Sequence, residues 1–216
     1  MCRWPKKRRR DRGRELFRLN STSVDLTSRD SVKHFPLTSL KPKARDVHYR
    51  LLDPLLRFWF RFVYPHTSLI AQAGPKRALA QVIQPHLEPY FGSCFETLCC
   101  EALPLLYDNE KVSAGFEIGS YWDSRTQIDI VGLRRDGWID LGDCKWGTVC
   151  SLSEVAAELE AKIARYSNPH HATIGRRLFL RSFKHTRKPL AAGLRVHGLE
   201  ELYALGGADD QGVDFR

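Results

Sequence analysis

Residues Gln127 to Trp146, QIDIVGLRRDGWIDLGDCKW, set Asp129 inside one apolar run and close a second apolar run with Asp143 and Lys145. Arg135-Asp136-Gly137 between them is a turn signal. A carboxylate flanked by Ile128, Ile130 and Val131 loses hydration and therefore needs a partner. Side chains on a strand alternate faces, so Asp143 and Lys145 point one way and Cys144 the other. The turn decides whether Asp129 joins them. A three-residue loop with Gly137 in the left-handed position pairs Arg134 with Trp138 and sets Asp129 across from Asp143. A two-residue Asp136-Gly137 turn throws the two carboxylates onto opposite faces.

In the first register the two Cβ atoms lie about 4.5 to 5.5 Å apart, and like charges directly opposite destabilise a sheet. A divalent cation removes that repulsion, and oxygen ligands without a His or Cys cluster suit magnesium or manganese. A lysine beside such a cation stabilises a developing oxyanion, or orients an attacking water and helps deprotonate it. The expected site is Asp129 and Asp143 as metal ligands with Lys145 alongside, the equipment of a phosphodiester hydrolase. The alternative is a plain hairpin in which Asp143 and Lys145 form a solvated pair.

Outward from this stretch, Ala114 to Tyr121, Gln127 to Leu133 and Trp138 to Trp146 read as three meandering strands. Ser151 to Tyr166 reads as a helix, with Ser151 and Glu154 as a capping box and Glu158 paired with Lys162 at i, i+4. Arg177 to Ser182 is a further strand and Gly198 to Leu205 a last short helix. Upstream, Ser93 and Glu96 form another capping-box pattern before an apolar stripe. Glu96 is thus either a helix cap or a third acid of the site. Asp53-Pro54 starts a helix that Pro65 ends; its apolar circumference, broken by Arg57 and Arg61, reads as a packed core helix. Lys76 to Gln84 adds a short helix after Gly74-Pro75, and no internal repeat is evident.

The expected fold class is α/β, a mixed sheet flanked by helices. The expected organisation is a basic tail over 1–30, a β-hairpin over 31–52, a helical connector over 53–92, the main domain over 93–205 and a tail over 206–216. The hairpin is either ordinary or the wing of a degraded winged-helix unit.

The net charge of +9 is concentrated: residues 1–50 hold 15 Lys and Arg against 5 Asp and Glu, and residues 51–216 hold 19 against 20. Such a basic segment reads as a nucleic-acid or anionic-surface contact, or simply as solvated chain. No apolar stretch reaches the ~20 residues needed to span a bilayer. No apolar segment of a secretory signal follows Lys6 to Arg14, and the six cysteines lack C-x-x-C spacing, so no membrane and a cytoplasmic location are expected.

Asp129, thirteen residues, then Asp143-x-Lys145, preceded by a helix bearing Glu96, resembles the PD-(D/E)xK restriction-endonuclease-like superfamily. More closely, YRLLDPLLRFWFRFVYP, FGSCFE, IGSYWD, QIDIVGL and GDCKW resemble domain of unknown function 234, the carboxy-terminal domain of archaeal-type AAA+ ATPases. The resemblance covers roughly residues 32–205. It implies a restriction-endonuclease-like core, Asp129 and Asp143 as ligands of Mg2+ or Mn2+, Lys145 as catalytic lysine and Glu96 as auxiliary acid. It also implies that the hairpin is a remnant wing, that the substrate is nucleic acid, DNA above all, and that an AAA+ ATPase is a possible partner. Two departures stand out: the family usually carries Glu at the position of Asp143, and no G-x-x-x-x-G-K-[ST] phosphate loop is present. A non-cleaving binding module and a truncated remnant are the competing readings.

Overall fold

The structure, a computed structural model, describes residues 31–34, 48–51, 53–183 and 193–206. The expected tails and the tip of the hairpin lie outside these residues. Strands β1 (Ser31–His34) and β2 (His48–Leu51) pair antiparallel, Ser31 with Leu51 through His34 with His48, within the hairpin expected over 31–52.

The helical segment starts where expected. Asp53 caps α1 (Pro54–Phe58), its Oδ1 accepting the Leu56 N–H at 2.9 Å with Pro54 in the first turn. Pro65 does not end the helical path. The chain widens into a π-turn over Trp59–Val63, tightens into a 3-10 turn over Tyr64–His66, and continues as α2 (Thr67–Ala73). The wide turn absorbs the missing proline N–H: the Tyr64 N–H reaches back to the Trp59 carbonyl, and the His66 ring bonds the Phe62 carbonyl at 3.0 Å. The same succession recurs at once, with α3 (Pro75–Ala78), a π-turn over Leu79–Ile83, a 3-10 turn over Gln84–His86, and α4 (Leu87–Asn109). No sequence repeat announces it; Pro65-His66 and Pro85-His86 impose one conformation on otherwise different residues. The first helix is also less buried than its composition suggests: of 54–66 only Phe62 is buried, packed with Ile83 and Tyr90, while Leu55 is 71% and Trp59 45% exposed.

α4 corrects two expectations. It begins at Leu87, so Ser93 and Glu96 lie in its interior and form no capping box, and the expected boundary at 92/93 falls inside one continuous helix. Phe95, Cys99, Leu103 and Leu106 lie on its buried stripe.

Strands β3 (Phe116–Trp122), β4 (Gln127–Arg134), β5 (Trp138–Val149), β6 (Thr173–Phe183) and β7 (Leu194–Gly198) form one sheet in that order, with α5 (Leu152–Ile163) joining β5 to β6. The first two pairings are antiparallel and the last two parallel, so the α/β mixed sheet is as expected. β7, too short and polar to read in LRVHG, is an addition, followed by α6 (Leu199–Gly206). α4 and α6 cover one face through Leu103, Leu202, Ile130 and Phe179. α5 covers the other, its Leu159 packed with Leu178 and Leu180. The Ser151 hydroxyl accepts the Glu154 N–H at 3.4 Å, the cap foreseen.

The register question resolves to the three-residue loop. Ile130 pairs with Gly142 and Leu133 with Ile139, the alignment that carries Asp129 opposite Asp143. Gly137 takes φ +84, where no Cβ is tolerated comfortably, and its carbonyl accepts the Thr173 N–H at 2.9 Å, tying the turn to β6. Toward β3, β4 takes three steps from Ile128 to Val131 while β3 takes two from Tyr121 to Gly119. This bulge falls at Asp129 and Ile130, where the added twist redirects a side chain.

Candidate metal-binding site

Asp129, Asp143 and Lys145 meet on the face of the sheet covered by α5. The Asp129 Oδ2 accepts the Cys144 N–H at 3.0 Å, and its Oδ1 receives a long 3.4 Å contact from the Gln127 amide. The backbone between Asp143 and Lys145 thus orients the carboxylate across from them. Asp143 has a side chain of 0% exposure. Its Oδ1 accepts a hydrogen bond from the Lys162 ammonium. Its Oδ2 lies 3.0 Å from the Lys145 Nζ, a charge contact that is not aligned as a hydrogen bond, so this buried oxygen has no hydrogen-bond partner. Lys145 itself donates to Glu158 Oε2 at 2.8 Å.

Glu158 and Lys162 therefore do not serve each other, as their i, i+4 spacing suggested; each reaches into the site. Sequence reading missed both roles, although a signal existed. Val155, Leu159, Lys162 and Tyr166 follow one another at spacings of four, three and four, which sets a lysine in the sheet-facing stripe of the helix. Glu96, half-buried in α4, sits close enough for its charge to act on Asp129.

These contacts divide the charge states. Burial, then the hydrogen bond and charge of Asp143, then Glu96 push Asp129 up to about 7, against the opposing Cys144 N–H. Burial would raise Asp143 as well, but hydrogen bonding to Asp129 and the ammonium groups of Lys162 and Lys145 bring it below the ordinary carboxylate range. Asp129 is the member that holds a proton in acid. Burial alone would lower Lys145, yet Glu158 and Asp143 overcome it and hold the ammonium above its usual value. A cleft lined by Lys145, Trp146, Thr148, Ser151, Glu154 and Glu158 opens beside it.

Among the described residues no cluster of three or more His, Cys, Asp or Glu is disposed to hold a metal. Asp129 and Asp143 nevertheless fit a hard divalent cation on two counts. Magnesium needs only one or two protein carboxylates beside water and substrate oxygens. The donors are all oxygen, and one of them, Asp143 Oδ2, is buried without a hydrogen bond.

No helix among the described residues is long and apolar enough to cross a membrane. No curated protein matches the chain. Among solved structures, the crystal structure of a repair endonuclease from Pyrococcus abyssi is similar over 45% of this chain and 44% of its own, at 19% identity and a TM-score of 0.33. The chain thus spans less than half of that endonuclease, and a likeness this loose carries no argument about the site. Residues 59–162 match the model of domain of unknown function 234, described as archaea bacterial proteins of unknown function. That span holds Glu96, Asp129, Asp143, Lys145, Glu158 and, as its last residue, Lys162, so every charged group of the site lies in the part of the chain similar to that family.

Proposed function

We propose that this chain is a metal-dependent phosphodiester hydrolase acting on DNA. One observation carries the reading: a fully buried aspartate with an unbonded oxygen faces a second carboxylate, with a lysine ammonium 3.0 Å from that oxygen. A fully buried carboxylate whose second oxygen is met by an ammonium without an aligned hydrogen bond is costly as architecture and useful as a ligand. Asp129 and Asp143 would hold Mg2+ or Mn2+, which supplies Lewis-acid polarisation of a phosphoryl oxygen and a more acidic bound water.

The remaining chemistry belongs to side chains of this chain. Hydrolysis joins a water oxygen to phosphorus and breaks one phosphorus–oxygen ester bond, and the released sugar oxygen gains a proton. Lys145, kept cationic by Glu158 and Asp143, does not accept the water's proton; it neutralises negative charge growing on the phosphoryl oxygens. Asp129 must lose its proton before it serves as a ligand, so metal uptake competes with that proton and weakens toward acid pH. Glu96 is the auxiliary acid, acting on Asp129 through its charge. The basic first 50 residues support an anionic polymer as substrate. The test is incubation of the purified full chain with magnesium or manganese and linear, supercoiled and branched DNA. Metal-dependent cleavage that Lys145→Ala slows by orders of magnitude is expected; uncut DNA, or equal cutting by the variant, defeats the reading.

The charge distribution favours a second reading. Residues 51–216 carry 19 basic against 20 acidic residues, which is little cationic surface for gripping DNA. A non-cleaving module that docks nucleic acid or an AAA+ ATPase through its basic first quarter fits that balance. It predicts DNA affinity that falls steeply with salt and survives Asp129→Asn.

A further inference from the structure

Asp143 meets two ammonium groups at once. Lys145 arrives from its own strand and has a task in the hydrolase reading; Lys162 arrives from α5, has none, and yet makes the hydrogen bond. One turn earlier on the same helix, Glu158 takes Lys145. α5 therefore supplies a cation to the candidate metal ligand and an anion to the candidate catalytic lysine. Counted as ionised, Asp129, Asp143, Glu158 and Glu96 against Lys145 and Lys162 leave two negative charges, the charge of one divalent cation.

We infer that Lys162 is a positioning residue that stands in for the cation: it neutralises Asp143 Oδ1 in the metal-free protein and yields that carboxylate when a divalent ion is taken up. The inference rests on the hydrolase reading of this site. Its physical basis is that a buried carboxylate left unpaired is strongly destabilising, so a protein that must exist before it loads its metal benefits from an internal counter-ion. The same ammonium then repels an incoming cation at close range and sets the concentration at which loading occurs. Lys162 suits this duty because its side chain is 26% exposed and has somewhere to go, whereas Asp143 at 0% has not.

The experiment is calorimetric titration of manganese into the full chain and its Lys162→Met, Lys162→Arg and Asp143→Asn variants, with thermal unfolding of each in the presence of chelator and of saturating manganese. Lys162→Met is expected to bind manganese about tenfold more tightly than wild type, since a repelling unit charge in contact range is gone. It should also be less stable than wild type in chelator, with the gap closing when manganese is added. Lys162→Arg keeps the charge and should bind within about twofold of wild type. Binding by Lys162→Met that is no tighter than wild type overturns the inference, because a merely structural lysine would leave affinity unchanged or weaken it. If wild type takes up no manganese, or Asp143→Asn takes up as much as wild type, the hydrolase reading falls as well, so the two failures are distinguishable. Should Lys162→Met not fold, acylation of the wild-type chain by an N-hydroxysuccinimide ester decides the matter. Lys162 labelling that rises severalfold with manganese supports the inference, and unchanged labelling overturns it.

Discussion

Strand β5 carries two buried aspartates three residues apart, and because that spacing is odd they face opposite sides of the sheet. Asp140 lies beneath α4, where Tyr107 donates to its Oδ2 at 2.7 Å and the Arg177 Nε lies 3.1 Å from Oδ1, a charge contact without hydrogen-bond alignment. Arg177, itself at 0% exposure, forks onto both oxygens of Glu110 at 2.7 Å, and Arg195 adds a second cation to Glu110. His197 stacks on Phe179 and continues the network to Glu201. This side is closed: each carboxylate has partners fixed by packed elements. Asp143 is equally buried, yet its partners are flexible lysines, one of its oxygens lacks a hydrogen bond, and negative charge exceeds positive around it. Burial does not tell the two apart, and neither does a single unaligned contact, since each side has one; the flexibility of the partners and the excess of negative charge do.

The sharpest way to break this contrast is Arg177→Met. It takes the shared guanidinium from buried Asp140 and half-buried Glu110, leaving Asp140 only the Tyr107 hydroxyl and a distant Arg134, and should cost about 3–5 kcal/mol in urea unfolding. A small loss would mean that the closed cluster is no better built than the open one. Next in size, Lys145→Ala should cost less stability than Arg177→Met, because Lys162 still pairs Asp143, and cut the DNA-cleavage rate by roughly 10²–10³-fold, about 2.7–4 kcal/mol. A stability loss rivalling that of Arg177→Met would assign the open site to architecture.

The titration of Asp129 gives a smaller effect. Its value of about 7 in the fold stands above the ordinary 3.8, so the native state binds the extra proton. Metal-free protein should therefore lose stability as pH rises from about 4 to about 7, by at most about 1.4 kcal/mol per unit, and level off above. Asp143, lowered in the fold, acts in the opposite sense, and the stability it contributes disappears only at more acid pH. Unfolding curves at several pH values in chelator should show the slope in wild type and lose it in Asp129→Asn. Smallest of all, Gly137→Ala adds a Cβ into open space at φ +84 and should cost only the left-handed conformation, about 1–2 kcal/mol, with activity retained.

What the sequence revealed follows from the range of the forces involved. Strand alternation placed Asp143 with Lys145, the Gly137 turn offered the register that the structure adopts, and Ser151 and Asp53 capped the helices that were expected of them. These are local geometries. The errors arose where a second local pattern competed. Ser93-x-x-Glu96 satisfies a capping box, but Leu87 already begins the helix, and the apolar stripe through Phe95 and Cys99 continues it. Glu158 and Lys162 satisfy an intrahelical pair worth only a few tenths of a kcal/mol, and the buried charge of Asp143 outbids it. The Asp140 network was invisible because Tyr107 and Glu110 at the end of α4, Arg177 in β6 and His197 in β7 converge from elements far apart in sequence. β7 was missed because a short strand beside a covered sheet needs no strong pattern of its own.

The bulge at Asp129 and the odd loop at Gly137 are two one-residue offsets on either side of the same carboxylate. Together they make the paired part of the thirteen-residue spacer between Asp129 and Asp143 a matter of parity: its composition is free to drift wherever the core permits, but a single insertion or deletion within one strand that the turn does not absorb moves one aspartate to the wrong side of the sheet. A paired insertion, one residue on each side of the loop, preserves parity and would lengthen the hairpin while keeping the two acids face to face. Length variation in the paired segments should therefore come in even steps, while the turn itself can lengthen by single residues.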